Sequence, residues 1–211
     1  MSEPDVLPHL AEAEAATRRF LDTLDRLTDA DLRAPSVLPG WSRGHVVAHL
    51  CRNADAVTNL VRWAATGDES PMYASQEARD AAVARALPPD RWEMGVARLA
   101  GDAPFPVRRV GAMRRTEVEV HHADLGTAYA AADWPEEFLD HLLARREREL
   151  TTAGVALRVE LTDRFASLET GPGGPRVSGA TADVVWWLLG RGTGEGLACS
   201  DARLPDLGRW V

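Results

Sequence analysis

The 211-residue chain contains no lysine and no isoleucine, so all 24 of its basic side chains are arginines. Its formal net charge of −8 argues against general nucleic-acid binding, because phosphates require a surplus of basic side chains. It has no apolar run near the ~18 residues that cross a bilayer, and its acidic start does not fit a secretory signal. The two cysteines, Cys51 and Cys199, are too few for a disulfide framework. We therefore expect a cytoplasmic protein with free, buried thiols and no membrane partner.

Hydrophobic residues make up 45% of the chain, a share that is typical of a globular protein with a buried core. Apolar side chains at steps of three and four, with their start and stop signals, predict helices over residues 5–27, 42–66, 76–87, 107–131, 136–150 and 180–189. A proline-containing turn is expected between the first two helices. Alternation predicts strands over 155–161 and 166–170. The fold class is therefore α with a small α+β module, divided into domains 1–151 and 152–211.

Histidines and glutamates at helical spacing form the one pattern in the sequence that suggests a metal-binding site. His45 and His49 are four residues apart, as are Glu117 and His121, so each pair lies on one helix face. Imidazole and carboxylate ligands suit zinc or another first-row divalent metal, and three protein ligands would leave a catalytic position open. The same spacing also occurs on ordinary solvated helix faces. The alternation around Glu117 is compatible with a strand, but the alanine-rich run that follows favours a helix.

Residues 38–55, LPGWSRGHVVAHLCRNAD, resemble the second-helix signature of mycothiol-dependent maleylpyruvate isomerases. Further resemblances follow in the same order at residues 59–67, 71–73, 77–80, 113–125 and 187–191. The resemblance implies a DinB-like up-down helical bundle with a small C-terminal module, and it places the metal ligands at His49, Glu117 and His121. The third helix, 76–87, is much shorter than the family's, so we expect the module or a homodimer partner to cover the exposed apolar surface.

The family's reaction implies a substrate, two cofactors and a set of site residues. The substrate would be maleylpyruvate, a dicarboxylate of gentisate breakdown, and the product fumarylpyruvate. Mycothiol, activated by zinc or another divalent metal, would add its thiolate to the cis double bond, allow rotation, and leave again. The resemblance and the chemistry together assign catalytic roles to Arg191 and Arg114 and cofactor-binding roles to Arg52, Asn53 and Arg191.

Two other functions are compatible with the same residues. One is an S-transferase that conjugates mycothiol to another electrophile, and the other is a noncatalytic metal- or thiol-binding protein. Among the remaining residues, His45 and His122 are expected beside the site rather than as ligands, and Trp41 in the core. Glu119 is expected in solvent, because it points away from Glu117.

Overall fold

A computed structural model of the protein describes residues 9–70, 104–201 and 203–207, together with the backbone of 95–96. Contacts divide the chain into an N-terminal unit, Met1–Leu125, and a C-terminal unit, Gly126–Val211. The predicted domain boundary at residue 151 stays a prediction, and the predicted third helix, 76–87, lies outside the described residues. Over the part of the chain that is described, no helix is both long and apolar enough to span a bilayer.

Helices make up most of the described N-terminal unit. Its elements are α1 (Leu10–Leu24), α2 (Asp29–Arg33), α3 (Arg43–Thr66), an antiparallel pair of short strands β1 (Gly95–Val96) and β2 (Phe105–Pro106), a 3-10 turn (Val107–Arg109) and α4 (Val110–Asp124). Helix α4 packs against both α1 and α3. The ligand-bearing helix is therefore enclosed by two neighbours.

Local capping signals set the bounds of α3. The Ser42 hydroxyl accepts a hydrogen bond from the His45 backbone N–H, and the His45 ring accepts one from the Ser42 N–H at 3.1 Å. At the other end Gly67, with φ of 83°, donates to the carbonyl of Trp63 at 2.8 Å. The predicted helix from the Ser42 cap to Thr66 is confirmed.

Three predictions for the N-terminal unit are wrong. Helix α1 ends at Leu24 rather than at residue 27, because the N–H groups of Arg26 and Leu27 bond carbonyls three residues back rather than four. Helix α4 ends at Asp124 rather than at residue 131, since Gly126 adopts a left-handed φ of 63° and turns the chain away. Helix α2 lies where only a turn was expected. Thr28 and Asp31 cap each other's backbone N–H groups there, which stabilises a single short helix.

Two apolar clusters hold α3 and α4 in place. One cluster joins α1, α3 and α4 and contains Ala16, Phe20, Val46, Leu50, Val118 and Leu125. The other lies along the second half of α3 and contains Ala56, Leu60, Ala64, Val107 and Val110. Leu50 and Leu60 are almost fully buried, and each such side chain contributes about 1.5–3 kcal/mol. The helix segments that carry the predicted ligands are thus fixed by packing.

The C-terminal unit combines two helices with a small mixed sheet. Its elements are a 3-10 turn (Ala131–Asp133), α5 (Glu136–Thr152), β3 (Arg158–Leu161), β4 (Ala166–Glu169), β5 (Arg176–Gly179), α6 (Thr181–Leu188) and β6 (Ala198–Cys199). The strand order is β4-β3-β5-β6, with β3 and β5 parallel and the other pairs antiparallel. The predicted strands β3 and β4 are confirmed, whereas β5 and β6 were not predicted.

Two tight contacts fix the C-terminal unit locally. Asp163, in the β3–β4 turn, accepts hydrogen bonds from the Thr181 hydroxyl at 2.7 Å and from the Thr181 backbone N–H, at the start of α6. A Cβ at Gly174 would lie 2.1 Å from the carbonyl oxygen of Ala156. Only glycine allows the chain just before β5 to approach the segment that leads into β3 so closely.

Candidate metal centre

His49, Glu117 and His121 converge where α3 packs against α4. The Glu117 Oε2 atom lies 3.1 Å from His49 Nε2 and 3.6 Å from His121 Nε2. One ligand atom from each of the three residues lies within 4.8 Å of the others, and the two imidazole centroids are 4.6 Å apart. The contacting helices therefore join two ligands on α4 with one from a distant part of the chain.

This donor set fits a divalent ion. Ligand atoms about 2.0–2.1 Å from a tetrahedral zinc lie roughly 3.3–3.4 Å from one another, and the distances of 3.1 and 3.6 Å bracket this value. The side chains of His49, Glu117 and His121 are 33%, 28% and 15% exposed, so a small molecule can approach them. Within the described residues, this is the one such group of three histidine, cysteine or carboxylate side chains.

Asp124 holds the ring of His121. Its Oδ2 atom lies 2.8 Å from His121 Nδ1, and its side chain is completely buried. The other ring nitrogen, Nε2, is the one that faces Glu117. Asp124 was not predicted as part of the site, because its spacing of three residues from His121 is shared by acidic residues on solvated helix faces.

The two neighbouring histidines lie outside the ligand cluster. His45 Nδ1 lies 2.8 Å from the hydroxyl of Ser42, at the N-terminus of α3. His122 is buried, with Nε2 2.8 Å from the hydroxyl of Thr23 and its ring edge against Phe20. The expectation that neither residue is a ligand stays a prediction.

Glu119 was expected in solvent, and this is wrong. Its side chain is fully buried and pairs with the Arg19 guanidinium of α1. Residue 119 does point away from Glu117, but α1 covers that face of α4. A buried carboxylate needs such a partner, because burial of an unpaired charge is costly.

Arg114 places a cation beside the cluster. Its NH1 donates to the Leu50 carbonyl at 3.1 Å and to Asn53 Oδ1 at 2.8 Å. Burial lowers the pKa of Arg114, while the charges of Glu117 and Cys51 act in the opposite direction. An arginine stays protonated in proteins, so the guanidinium is a fixed positive charge near Glu117.

The residues that follow His49 on α3 differ in exposure. Arg52 is exposed, whereas Asn53 is 4% exposed and its side-chain oxygen accepts the bond from Arg114. Both cysteines are free, as expected, but Cys51 is exposed and Cys199 is half-buried. The expectation that both thiols are buried is wrong, because Cys51 lies on a part of α3 that no described element covers.

Arg191 belongs to the C-terminal unit. It is 9% exposed, and its NH1 donates to the carbonyl of Leu189 at 2.7 Å, just after α6. Gly190 and Gly192, with φ of 68° and 66°, allow the tight turn that directs the side chain back. Its assigned roles in catalysis and cofactor binding stay predictions.

Trp41 lies beside the ligands rather than in the core. It is 40% exposed, and its ring centroid is 5.9 Å from that of His49. Its loop is tied to the end of α4, since the Val37 N–H donates to the Asp124 carbonyl at 2.9 Å. The sequence signal for this position was only its closeness to His49.

The fold and this cluster define a largely helical protein with a candidate metal centre between two packed helices. A family model, the mycothiol maleylpyruvate isomerase N-terminal domain, matches residues 13–90. A crystal structure of the mycothiol-dependent maleylpyruvate isomerase is 30% identical, with a TM-score of 0.84, and the match covers 96% of this chain and 95% of that chain. The crystal structure of a histidine-to-alanine mutant of such an enzyme matches over the same shares at 30% identity, with a TM-score of 0.82.

The chain therefore belongs to the mycothiol-dependent maleylpyruvate isomerase family, and its fold is the DinB-like fold of these enzymes with a small mixed sheet. The fold class predicted from the sequence is confirmed. None of the curated proteins matches the chain.

Proposed function

We propose that the protein is a mycothiol-dependent isomerase that converts maleylpyruvate to fumarylpyruvate, with zinc held by His49, Glu117 and His121. The observation that carries the proposal is the convergence of two imidazole nitrogens and one carboxylate oxygen, in a chain of this family. When bound, zinc would lower the pKa of the mycothiol thiol, so that a nucleophilic thiolate is available at neutral pH.

Arg114 supplies a positive charge near Glu117. Two hydrogen bonds to α3 fix its guanidinium before any substrate binds. A preorganised cation stabilises negative charge that develops during a reaction. In this isomerisation that negative charge develops on the enolate. The cofactor-binding role of Asn53 remains part of the proposal, and its side-chain oxygen also holds the Arg114 guanidinium.

Arginine side chains suit the anionic substrate. The planar fork of an arginine binds a carboxylate with two hydrogen bonds, and maleylpyruvate carries two carboxylates. We assign contacts with mycothiol to the exposed Arg52 and to Arg191, and a further catalytic role to Arg191. A cytoplasmic location, a place in gentisate breakdown and a homodimer are further parts of the proposal.

Product analysis with the zinc-loaded protein tests this function. We expect conversion of maleylpyruvate to fumarylpyruvate only when mycothiol is present, measured by chromatography. His49→Ala should lower the rate on the order of 10²-fold or more, because the ion stabilises charge by several kcal/mol. His45→Gln is the matched control on the same helix, since glutamine at this position keeps the capping interaction with Ser42.

The other outcomes distinguish the rival functions. Conjugation of mycothiol to another electrophile, without isomerisation, would favour an S-transferase. Metal binding without turnover of any tested substrate would favour a noncatalytic binding protein. Isomerisation at the same rate without mycothiol would contradict the proposal.

A further inference from the structure

Asp124 has no role in the function proposed above, yet it is a fully buried carboxylate in contact with the candidate ligand His121. It is the last residue of α4, and its side chain is 0% exposed. A carboxylate at a helix C-terminus is unfavourable for the helix itself, because the helix dipole places negative potential there. Its burial also carries a desolvation cost. The stability of helix α4 alone therefore does not explain why a buried carboxylate lies at position 124.

The contact with His121 gives Asp124 a chemical role. Its Oδ2 lies 2.8 Å from His121 Nδ1, within hydrogen-bond distance. When Nδ1 carries the proton and donates it to a carboxylate, Nε2 is left with a free lone pair for a metal. A carboxylate partner also makes the imidazole a more basic ligand and fixes the plane of its ring.

The backbone of Asp124 adds rigidity to this arrangement. Its carbonyl accepts a hydrogen bond from the Val37 N–H at 2.9 Å, and the next carbonyl, of Leu125, accepts one from Arg43 Nε at 2.8 Å. The end of α4 is thus tied both to the loop that carries Trp41 and to the start of α3. The backbone that carries the Asp124 carboxylate is therefore tied to α3, the helix that carries His49.

We infer that Asp124 is a positioning residue of the metal centre, which accepts the Nδ1–H of His121 and directs Nε2 toward the ion. The inference rests on the proposed function, since it requires that the triad binds an ion. In this role Asp124 contacts neither the substrate nor the metal.

The test compares metal binding in four forms of the full chain. These are the wild type, Asp124→Asn, Asp124→Ala and the control Glu119→Gln, which alters an equally buried carboxylate on the same helix that pairs with Arg19. The affinity for Zn²⁺ is measured by competition with a chromophoric chelator. The visible spectrum of the Co²⁺-loaded protein reports coordination geometry, and the melting temperature of the metal-free protein reports stability.

We expect Asp124→Asn, which retains an acceptor but not the charge, to weaken Zn²⁺ binding about 10-fold, and Asp124→Ala to weaken it up to about 100-fold. The Co²⁺ spectrum should change in Asp124→Ala and stay as in the wild type in Glu119→Gln, even though Glu119→Gln lowers the melting temperature. If the alanine variant fails to fold, the near-isosteric asparagine variant still gives the comparison.

Wild-type affinity in both Asp124 variants would overturn the inference and leave the proposed function standing. An equal loss of affinity in Glu119→Gln would also overturn it, because the effect would then follow stability rather than the contact with His121. A wild-type protein that binds neither Zn²⁺ nor Co²⁺ would instead refute the proposed function, and this inference with it.

Discussion

Replacing Glu119 by glutamine removes the charge from one side of the ion pair between α4 and α1. The carboxylate is fully buried, whereas the Arg19 side chain is 39% exposed, so the guanidinium can still reach water after the change. This limits the cost below the 3–5 kcal/mol typical of breaking a buried pair whose partner is trapped. A hydrogen bond between charged groups contributes about 1.5–3 kcal/mol, and a neutral one about 0.5–1.5 kcal/mol.

Glutamine keeps an acceptor for Arg19, so we expect a loss of about 1–2 kcal/mol in the free energy of unfolding. For a chain of 211 residues this corresponds to a melting temperature roughly 3–6 °C lower. The assay is thermal unfolding of the metal-free protein, followed by circular dichroism at neutral pH.

The matched control is Glu169→Gln, which alters the cross-strand pair with Arg158. That pair also has a short contact, 2.9 Å, but its side chains are 51% and 47% exposed. Exposed ion pairs contribute about 0–1 kcal/mol, so this variant should melt close to the wild type. Equal melting temperatures for the two variants, or a Glu119→Gln protein as stable as the wild type, would refute the reasoning from burial.

Three further expectations concern stability. Gly174→Ala should lower the free energy of unfolding by about 3 kcal/mol or more, because its Cβ would lie 2.1 Å from the Ala156 carbonyl oxygen. The control Gly171→Ala, whose nearest contact would be at 3.4 Å, should lower it much less. Urea unfolding measures both changes. Ser42→Ala should lower the free energy of unfolding by about 1 kcal/mol through loss of the α3 cap, and Ser42→Gly by only a few tenths of a kcal/mol. Equal losses in the two variants would contradict the capping role of Ser42. The hydrogen bond from Thr181 lowers the pKa of Asp163 below its ordinary value of 3.8. The ionised Asp163 carboxylate therefore stabilises the fold fully above pH 3.8, and this contribution is lost as the pH falls through the lowered pKa. The stability difference between the wild type and Asp163→Asn should therefore shrink on acidification below pH 3.8, and a difference that grows there would contradict the assignment.

The elements with strong local signals were predictable from the sequence. Helix α3 has a serine cap, a long periodic segment and a terminal glycine, and its bounds agree with the structure. Strand β5 has a single apolar residue, Val177, among its four, and β6 has only two residues, so neither shows an alternating pattern. They form because β3 and β5 offer them hydrogen-bonding partners. The end of α4 was missed since one left-handed glycine, Gly126, outweighs the helix propensity of the alanines after it.

The candidate site was predictable only in part. Spacing gave the i,i+4 pair of Glu117 and His121, but a separation of 68 residues between His49 and Glu117 cannot be bridged by a local pattern, and the family resemblance supplied it. Glu119 was misplaced because a helix packed on two faces has no single solvent side. Asp124 was missed because a carboxylate three residues after a histidine is, in sequence, indistinguishable from a solvated acid.

The most direct test of the metal centre is elemental analysis of the untagged protein beside His49→Ala and His45→Gln. We expect about one zinc or other divalent ion per chain in the wild type and in His45→Gln, and a loss of that metal in His49→Ala, because three ligands are needed to hold it. No stoichiometric metal in the wild type, or unchanged metal in His49→Ala, would contradict the assignment of His49, Glu117 and His121 as its ligands.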